Sequence, residues 1–366
     1  MRVLQLHPRD TLGGTELMVV NLAQGLAGRG VDVTHATFDA PGPIAERMGA
    51  SDIPTLALGE SRTPAWTALG QLLRRERFDV VNAYGFHASM VARTVLPVTS
   101  PSTRMVCGVQ GLVVTEVESL AAAKTRLVEG IERVTWRLVD AYEANSRGAV
   151  ARLVGMGIAP DRVHFVPNGI DLGRWPFREV PPPREQAAQI LCVGRFVPRK
   201  RQADVVAAAR ILIDRGHDIQ VDFVGDGPTL GAVRAAVPEL LSSRVRFHGA
   251  IPPEQVPAYL ERATAFCLVS TWEGLPAVVL EALARGVPVV GSRVNGIEDL
   301  IHDGETGLTV PVGRPRAVAD ALERIIEDPE LAAALARAGR AFLEREYSID
   351  AMLDTKAQLY SDLLAD

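Results

Sequence analysis

Apolar positions along this chain fall into short, nearly continuous runs separated by longer stretches in which they recur every three or four residues. The first pattern marks strands buried on both faces and the second marks amphipathic helices. In the first half the runs predict strands over Val3 to His7, Val31 to Phe38, Asp79 to Tyr84, Met105 to Gln110, Ala141 to Asn145 and Val163 to Pro167, with helices such as Glu16 to Ala27 and Glu118 to Val139 between them. Near Asp171 to Gln189 the pattern lapses into Pro181-Pro182-Pro183 and polar residues, which predicts a linker. A second series follows over Ile190 to Val193, Gln220 to Val224, Val245 to His248, Ala265 to Ser270, Val287 to Gly291 and Gly307 to Val310. A last helix, Ile349 to Leu364, begins after a break at Tyr347-Ser348. Strands alternating with helices in this way build parallel sheets covered on both faces. The expected class is therefore α/β: two doubly wound, Rossmann-like domains, residues 1–175 and 186–346, facing across a crevice, with ligands outside the carboxyl ends of the strands.

The length of 366 residues suits two cores, and 47% hydrophobic with 23% charged residues is an ordinary globular composition. No apolar run reaches the roughly 18 residues of a membrane span, and Met1-Arg2-Val3-Leu4 enters a strand directly, so a cytoplasmic protein is expected. Residues 1–180 carry 19 basic and 18 acidic side chains and the remainder 20 and 26, a balance that excludes a nucleic-acid binder in either half. Cys107, Cys192 and Cys267 stand singly in separate apolar runs and read as core filling. Of 39 basic residues only Lys124, Lys200 and Lys356 are lysines, which draws attention to Lys200.

The chemistry concentrates where Ala265 to Ser270 gives way to a helix over Ala277 to Arg285 closed by Gly286. Pro276 fits the first helical position, and a helix starting beside a strand's carboxyl end aims free N–H groups at an anionic ligand. Glu273 lies in the turn Trp272-Glu273-Gly274-Leu275-Pro276-Ala277-Val278, and Glu281 two turns into the helix. One carboxylate then meets the reacting part of a ligand and the other a neutral hydroxylated part, with the helix end taking negative charge between them. That layout suits a sugar nucleotide. The alternative is a surface glutamate and an ordinary helical one.

After Ile190 to Val193 comes Gly194-Arg195-Phe196-Val197-Pro198-Arg199-Lys200-Arg201. Arg195 and Lys200 on one rim would bind a diphosphate and stabilise the charge it gains on leaving; the alternative is a solvated basic turn. No Asp-x-Asp metal clamp occurs in the chain, which favours a metal-independent site, and no cofactor is expected beside the substrate. Gly225-Asp226-Gly227-Pro228, Gly249-Ala250-Ile251 and Asn295-Gly296 are glycine-bearing turns at the same edge, suited either to a base and ribose or simply to tight turning. In the first domain Gly13 and Gly14 precede Thr15-Glu16 at the start of a helix. A dinucleotide Gly-x-Gly-x-x-Gly is missing there, which speaks against a nicotinamide cofactor. His7 and His87 are expected near that domain's crevice edge. Arg126, Arg133 and Arg137 share a helix face that would suit weak contact with anionic lipid or plain solvation, Glu129 and Glu132 lying near.

With these residues in hand the chain resembles the retaining glycosyltransferases of family 4, of GT-B fold. The likeness runs through Gly13-Gly14-Thr15-Glu16, Val166-Pro167-Asn168-Gly169-Ile170-Asp171, Gly194-Arg195 with Lys200, Gly225-Asp226-Gly227-Pro228, Glu273 to Glu281, and Asp303-Gly304-Glu305-Thr306-Gly307-Leu308. The resemblance implies a nucleotide diphosphate sugar held by the second domain, an acceptor (small molecule or lipid-linked) met mainly by the first, and a terminal helix, within 347–366, that returns to the first domain. It implies that Arg195 and Lys200 bind the diphosphate, Glu281 the ribose and Glu273 the transferred sugar, with Gly14 near the donor phosphate or acceptor. Gln110 stands where many relatives have a histidine, and Asn82, Tyr84, Asn295 and Asp299 also depart from the pattern, so the donor sugar is the open question. A sugar-nucleotide epimerase and a sugar-nucleotide sensor without turnover are the competing readings.

Overall fold

Val3, Leu4 and Leu6 are fully buried, as are Val80, Val81 and Ala83, so these strands present no face to water and need helical cover on both sides. The computed structural model describes residues 1–8, 14–59, 64–109, 121–178 and 187–365. It divides into two units, Met1–Gly169 with Asp350–Asp366, and Ile170–Ile349.

The first unit contains β1 (Arg2–His7), β2 (Asp32–Thr37), β3 (Thr55–Ala57), β4 (Val80–Tyr84), β5 (Arg104–Val109), β6 (Ala141–Ala144) and β7 (Val163–Phe165). They pair in the order β3-β2-β1-β4-β5-β6-β7, every pairing parallel. Between them lie α1 (Gly14–Gly28), α2 (Pro43–Gly49), α3 (Ala65–Arg75), α4 (Gly85–Thr99), α5 (Ala121–Thr135) and α6 (Arg147–Gly155). The expected helix Glu118 to Val139 stops at Thr135 and tightens into a 3₁₀ turn, Trp136–Leu138. The short edge strand β3 was not expected, since three half-buried residues carry no alternation to read.

The second unit contains β8 (Ala188–Val193), β9 (Ile219–Val224), β10 (Val245–Phe247), β11 (Ala265–Leu268), β12 (Val289–Ser292) and β13 (Leu308–Val310). Its sheet runs β10-β9-β8-β11-β12-β13, again all parallel. The helices are α7 (Gln202–Asp214), α8 (Leu230–Ala235), α9 (Val256–Arg262), α10 (Ala277–Ala284), α11 (Pro315–Glu327) and α12 (Pro329–Glu346). Strand β11 ends at Leu268, two residues earlier than expected, where its ladder to β12 ends at Gly291. Strand β12 starts at Val289 because Pro288 has no N–H to give a ladder. Cys107, Cys192 and Cys267 are all buried free thiols.

The expected first-domain limit at residue 175 moves to Gly169. The Ile170 N–H donates to the Tyr347 carbonyl at 2.8 Å, the Ile349 N–H donates to the Ile170 carbonyl at 3.0 Å, and Leu172 and Trp175 pack on the second unit's core. The described part of the expected linker is therefore built into that unit.

Helix α13 (Ile349–Ala365) packs into the first unit. A Cβ on Gly25 of α1 would lie 2.5 Å from Leu353 Cδ1, so any side chain there would have to displace Leu353. Buried Lys356 pairs with buried Glu143 of β6 and donates to the Tyr84 hydroxyl at 3.4 Å. The Tyr360 hydroxyl donates to Asn82 Oδ1 at 2.9 Å, and Asn82 Nδ2 donates to Glu143 Oε1 at 3.3 Å. Burial pulls the Lys356 ammonium well below its ordinary value, and the Glu143 contact opposes that pull. Breaking a buried pair costs far more than replacing both partners, because the survivor is left charged in an apolar place. Lys356→Met is therefore expected to destabilise the first unit by roughly 3–5 kcal/mol in urea unfolding, and Lys356→Met with Glu143→Met to recover most of that loss. A loss under about 1 kcal/mol in the single variant would show the pair to be idle.

Candidate active site

In the second unit β8, β9 and β10 progress to one side of the sheet and β11, β12 and β13 to the other. β8 and β11 are neighbours, so the connections leaving their carboxyl ends diverge and open a crevice, the topological switch point at which doubly wound sheets take ligands. The β8 connection, Gly194 to Arg201, tightens into a 3₁₀ turn over Pro198–Lys200 and enters α7 through Arg201, whose φ of 50° is left-handed. The β11 connection, Val269 to Pro276, leads into α10.

Glu273 and Lys200 meet between these two connections. Lys200 Nζ lies 2.7 Å from Glu273 Oε1, and Arg199 Nη1 donates to Oε2 at 3.2 Å. Ser270 Oγ donates to Oε1 at 2.5 Å, and Ser270 is itself held by the Ser292 hydroxyl, which donates to its carbonyl at 2.5 Å. Glu273 is 6% exposed, and an ionised carboxylate so far from water survives only where cations and donors replace its hydration. The two connections are also stitched through backbone, Thr271 N–H donating to the Arg199 carbonyl at 2.7 Å. Gly296, at φ 81°, packs against the turn so closely that a Cβ would lie 1.8 Å from the Gly274 carbonyl oxygen. Any side chain there would displace Glu273's own turn.

The remaining expected residues divide. Arg195 is on the same connection as Lys200, but its side chain is exposed and has no partner among the described residues, so of the two expected cations only Lys200 is fixed. Gly225 begins the turn leaving β9 and donates its N–H to the Gly249 carbonyl at 2.7 Å, which joins that turn to the one bearing Ile251. Pro276 is the N-cap of α10 and not its first residue, and no side chain caps the helix. Leu275 is buried, while the N–H groups of Ala277 and Val278 in the first turn stay available to a ligand. Glu281 is the fifth residue of α10, a little over one turn in rather than two. Its half-buried side chain has no partner among the described residues, and loss of hydration pushes its carboxyl up to about 8.

In the first unit Gly14 and Thr15 open α1, the helix that follows β1. Gly13 and Gln110 lie outside the described residues. His87 is exposed in the first turn of α4, its ring edge-on to Phe38 at 5.1 Å between centroids, and His7 ends β1 beside Tyr84. Glu129 pairs with Arg152 and Glu132 with buried Arg93, so neither neutralises exposed Arg133 on α5 or exposed Arg137 in the 3₁₀ turn after it.

Arg199, Trp272, Ser270 and Ser292 were not singled out from sequence. Arg199 lies in the run from which Arg195 and Lys200 alone are expected to bind a diphosphate, and Ser270 falls at the end of an expected strand. Among the described residues His217, Glu323 and Glu327 have metal-ligand types within reach of one another, but Glu323 is engaged by Arg215 at 2.6 Å and His217 at 2.7 Å. His217 lies in the turn between α7 and β9, at the amino edge of the sheet, and Glu323 and Glu327 in the last turns of α11, away from the switch point.

Residues 173–342 match the family model described as Glycosyl transferases group 1, and residues 12–174 the model described as Glycosyltransferase Family 4. The alpha-D-kanosaminyltransferase of Streptomyces kanamyceticus is 34% identical over 48% of this chain and 45% of its own length. The glycogen synthase of Mycobacterium tuberculosis is 27% identical over 98% of this chain and 94% of its own. Anabaena HepE, solved with UDP and with UDP-glucose, superposes with a TM-score of 0.84 at 19% identity, over 99% of this chain and 100% of that one, a likeness of fold.

Glu281 yields a prediction independent of any ligand. Its folded value near 8 is above the ordinary 4.5, so the folded protein keeps a proton that the unfolded chain has released between those values. The resulting stabilisation is present below about 4.5 and lost as pH rises through about 8. The melting temperature of the native protein should therefore fall relative to Glu281→Gln between pH 5 and 9. Parallel curves across that range would place Glu281 in water.

Proposed function

The chain belongs to the glycosyltransferases of family 4 type, with the GT-B fold, and from that premise we propose that it moves a sugar from a nucleotide diphosphate sugar to an acceptor hydroxyl with retention of configuration and without a metal. The observation that carries this reading is the buried Lys200–Glu273 pair at the switch point of the second sheet. A fixed ammonium beside uncapped helical N–H groups suits a diphosphate, and an oriented carboxylate next to it suits sugar hydroxyls.

In the proposed reaction Lys200, with Arg195 drawn in from solvent, neutralises the diphosphate as the bond from its oxygen to the sugar's anomeric carbon breaks. The N–H groups of Ala277 and Val278 take further negative charge at the start of α10, and Gly274 and Leu275 carry the backbone past the donor. The acceptor oxygen forms its bond to the anomeric carbon on the face the diphosphate leaves, and its proton passes to the departing phosphate oxygen. Glu273 holds the transferred sugar, and no protein nucleophile is needed. Glu281 receives the ribose hydroxyls, whose hydrogen bonds favour its ionised form and offset the lost hydration. The base sits by the turns bearing Gly225 and Ile251, while Gly13, Gly14, Thr15, Gln110 and His87 serve the acceptor or the sugar. Rate enhancement then comes mainly from charge stabilisation and positioning.

A lipid-linked acceptor fits α5 and the turn after it, where Leu127, Val134 and Leu138 are 63%, 76% and 48% exposed beside Arg133 and Arg137. Apolar and arginine stripes side by side suit the surface of an anionic bilayer. Flotation with phosphatidylglycerol vesicles should be lost in Leu127→Glu with Val134→Glu; unchanged flotation would show that this face makes no membrane contact, and a wild-type protein that does not float would remove the support for a lipid-linked acceptor.

Lys200→Ala and Glu273→Ala are each expected to reduce transfer by more than about 100-fold while circular dichroism stays native. The assay incubates the protein with uridine, guanosine, adenosine and thymidine diphosphate sugars and an acceptor, in EDTA, and reads the anomeric coupling of the product. Near-normal rates in both variants, an inverted product, or a requirement for added metal would overturn the respective part of the proposal. Isomerised donor without transfer would identify an epimerase.

A further inference from the structure

Glu273 has two oxygens and about four acceptor positions, and they are not equally occupied. Oε1 takes both Ser270 and Lys200; Oε2 takes Arg199 alone. The acceptor position left on Glu273 is therefore on the oxygen that Arg199 holds. We propose that Arg199 is a positioning residue for the transferred sugar: it anchors Glu273 through Oε2 when the donor diphosphate draws Lys200, and so fixes where a sugar hydroxyl can bond. The inference rests on the function proposed above.

Three features suit Arg199 to the task and Lys200 to a different one. The Arg199 guanidinium lies 4.2 Å from the Trp272 ring centroid, so a planar cation is clamped between an aromatic face and a carboxylate. Its backbone is tied to the Glu273 turn by the Thr271 N–H, which donates to its carbonyl at 2.7 Å. Trp272 and Glu273 are adjacent, so the ring that receives Arg199 moves with the carboxylate that Arg199 bonds. Lys200 has none of this bracing: a single flexible stem ends in a compact charge that reorients toward whichever anion is nearer. When a diphosphate enters and competes for Lys200, Glu273 would keep only neutral Ser270 on Oε1 if Arg199 were absent, and would be free to turn. With Arg199 in place it remains paired, buried and aimed.

A residue that only supported the fold would affect every ligand alike, whereas one that aims Glu273 matters only when the donor carries a sugar. Calorimetry therefore compares a nucleoside diphosphate with the same nucleoside diphosphate sugar, alongside kcat for transfer, in wild type, Arg199→Met, Arg199→Lys and Trp272→Ala. In Arg199→Met, affinity for the diphosphate alone should stay within about twofold, while the added affinity from the sugar disappears and kcat falls about tenfold or more. Arg199→Lys, which keeps the charge but not the stacked plane, should lie between, and Trp272→Ala should shift the same two quantities less than Arg199→Met. If Arg199→Met weakens the bare diphosphate about tenfold, the residue binds phosphate and the inference fails. Unchanged sugar affinity and kcat also overturn it. Should Arg199→Met not fold, Arg199→Lys and Trp272→Ala together still decide. A wild-type protein that binds none of the four nucleoside diphosphates would instead sink the underlying functional reading.

Discussion

A carboxylate taken out of water must be matched at close range, and that requirement organises the second unit. Glu273 can be ionised and buried only because Ser270, Lys200 and Arg199 reach it, and they reach it only because two connections from neighbouring strands diverge around it. The β8–β11 pairing sets their spacing, the 3₁₀ turn and left-handed Arg201 set the direction of Arg199 and Lys200, and Ser292 fixes Ser270 from the next strand over. Each contact is modest alone; together they hold a negative charge without solvent and leave positive charge beside it. Such an arrangement needs little reorganisation when a diphosphate departs, which is the main economy of electrostatic catalysis.

Much of this was legible in the chain before any coordinates. Branched residues in short runs located most strands within a residue or two, and Pro276 and Gly286 bracketed α10 closely. Glu273 and Lys200 stood out because each sits just beyond a buried strand, where a doubly wound sheet collects its ligands. Local rules failed where tertiary contact decides. Arg199 looks like any arginine in a basic turn until Trp272 and Glu273 are brought to it from more than seventy residues away. Pro276 was misplaced by one position because the backbone turns into the helix one residue later than its own φ would allow. The boundary near residue 170 was hidden because the pairing of Ile170 with Tyr347 and Ile349 joins distant segments.

Lysine is scarce in this chain, and two of its three lysines are buried. That scarcity marks Lys200 and Lys356 alike. Both are buried, and both are paired with a buried glutamate, one in each unit. In a chain that otherwise places its positive charge on guanidinium groups, an ammonium is kept where a slender stem must thread between packed elements and end in a point charge. The two pairs differ in what surrounds them. Glu143 and Lys356 are enclosed by Tyr84, Tyr360 and Asn82, a closed polar node with structural work. Glu273 and Lys200 stand at the carboxyl edge of a sheet beside an exposed arginine and a helix without a side-chain cap.

The threading of α13 has a consequence for biosynthesis. Strands β1 to β7 emerge from the ribosome well before the helix that supplies Lys356 and Tyr360, with all of residues 170–349 translated in between. Until then Glu143 lies in a half-built core with no cation to answer it. The amino-terminal unit therefore cannot lock by itself, while the carboxyl-terminal unit, contiguous in sequence, can. Between the two units, order of synthesis and order of completion are therefore reversed.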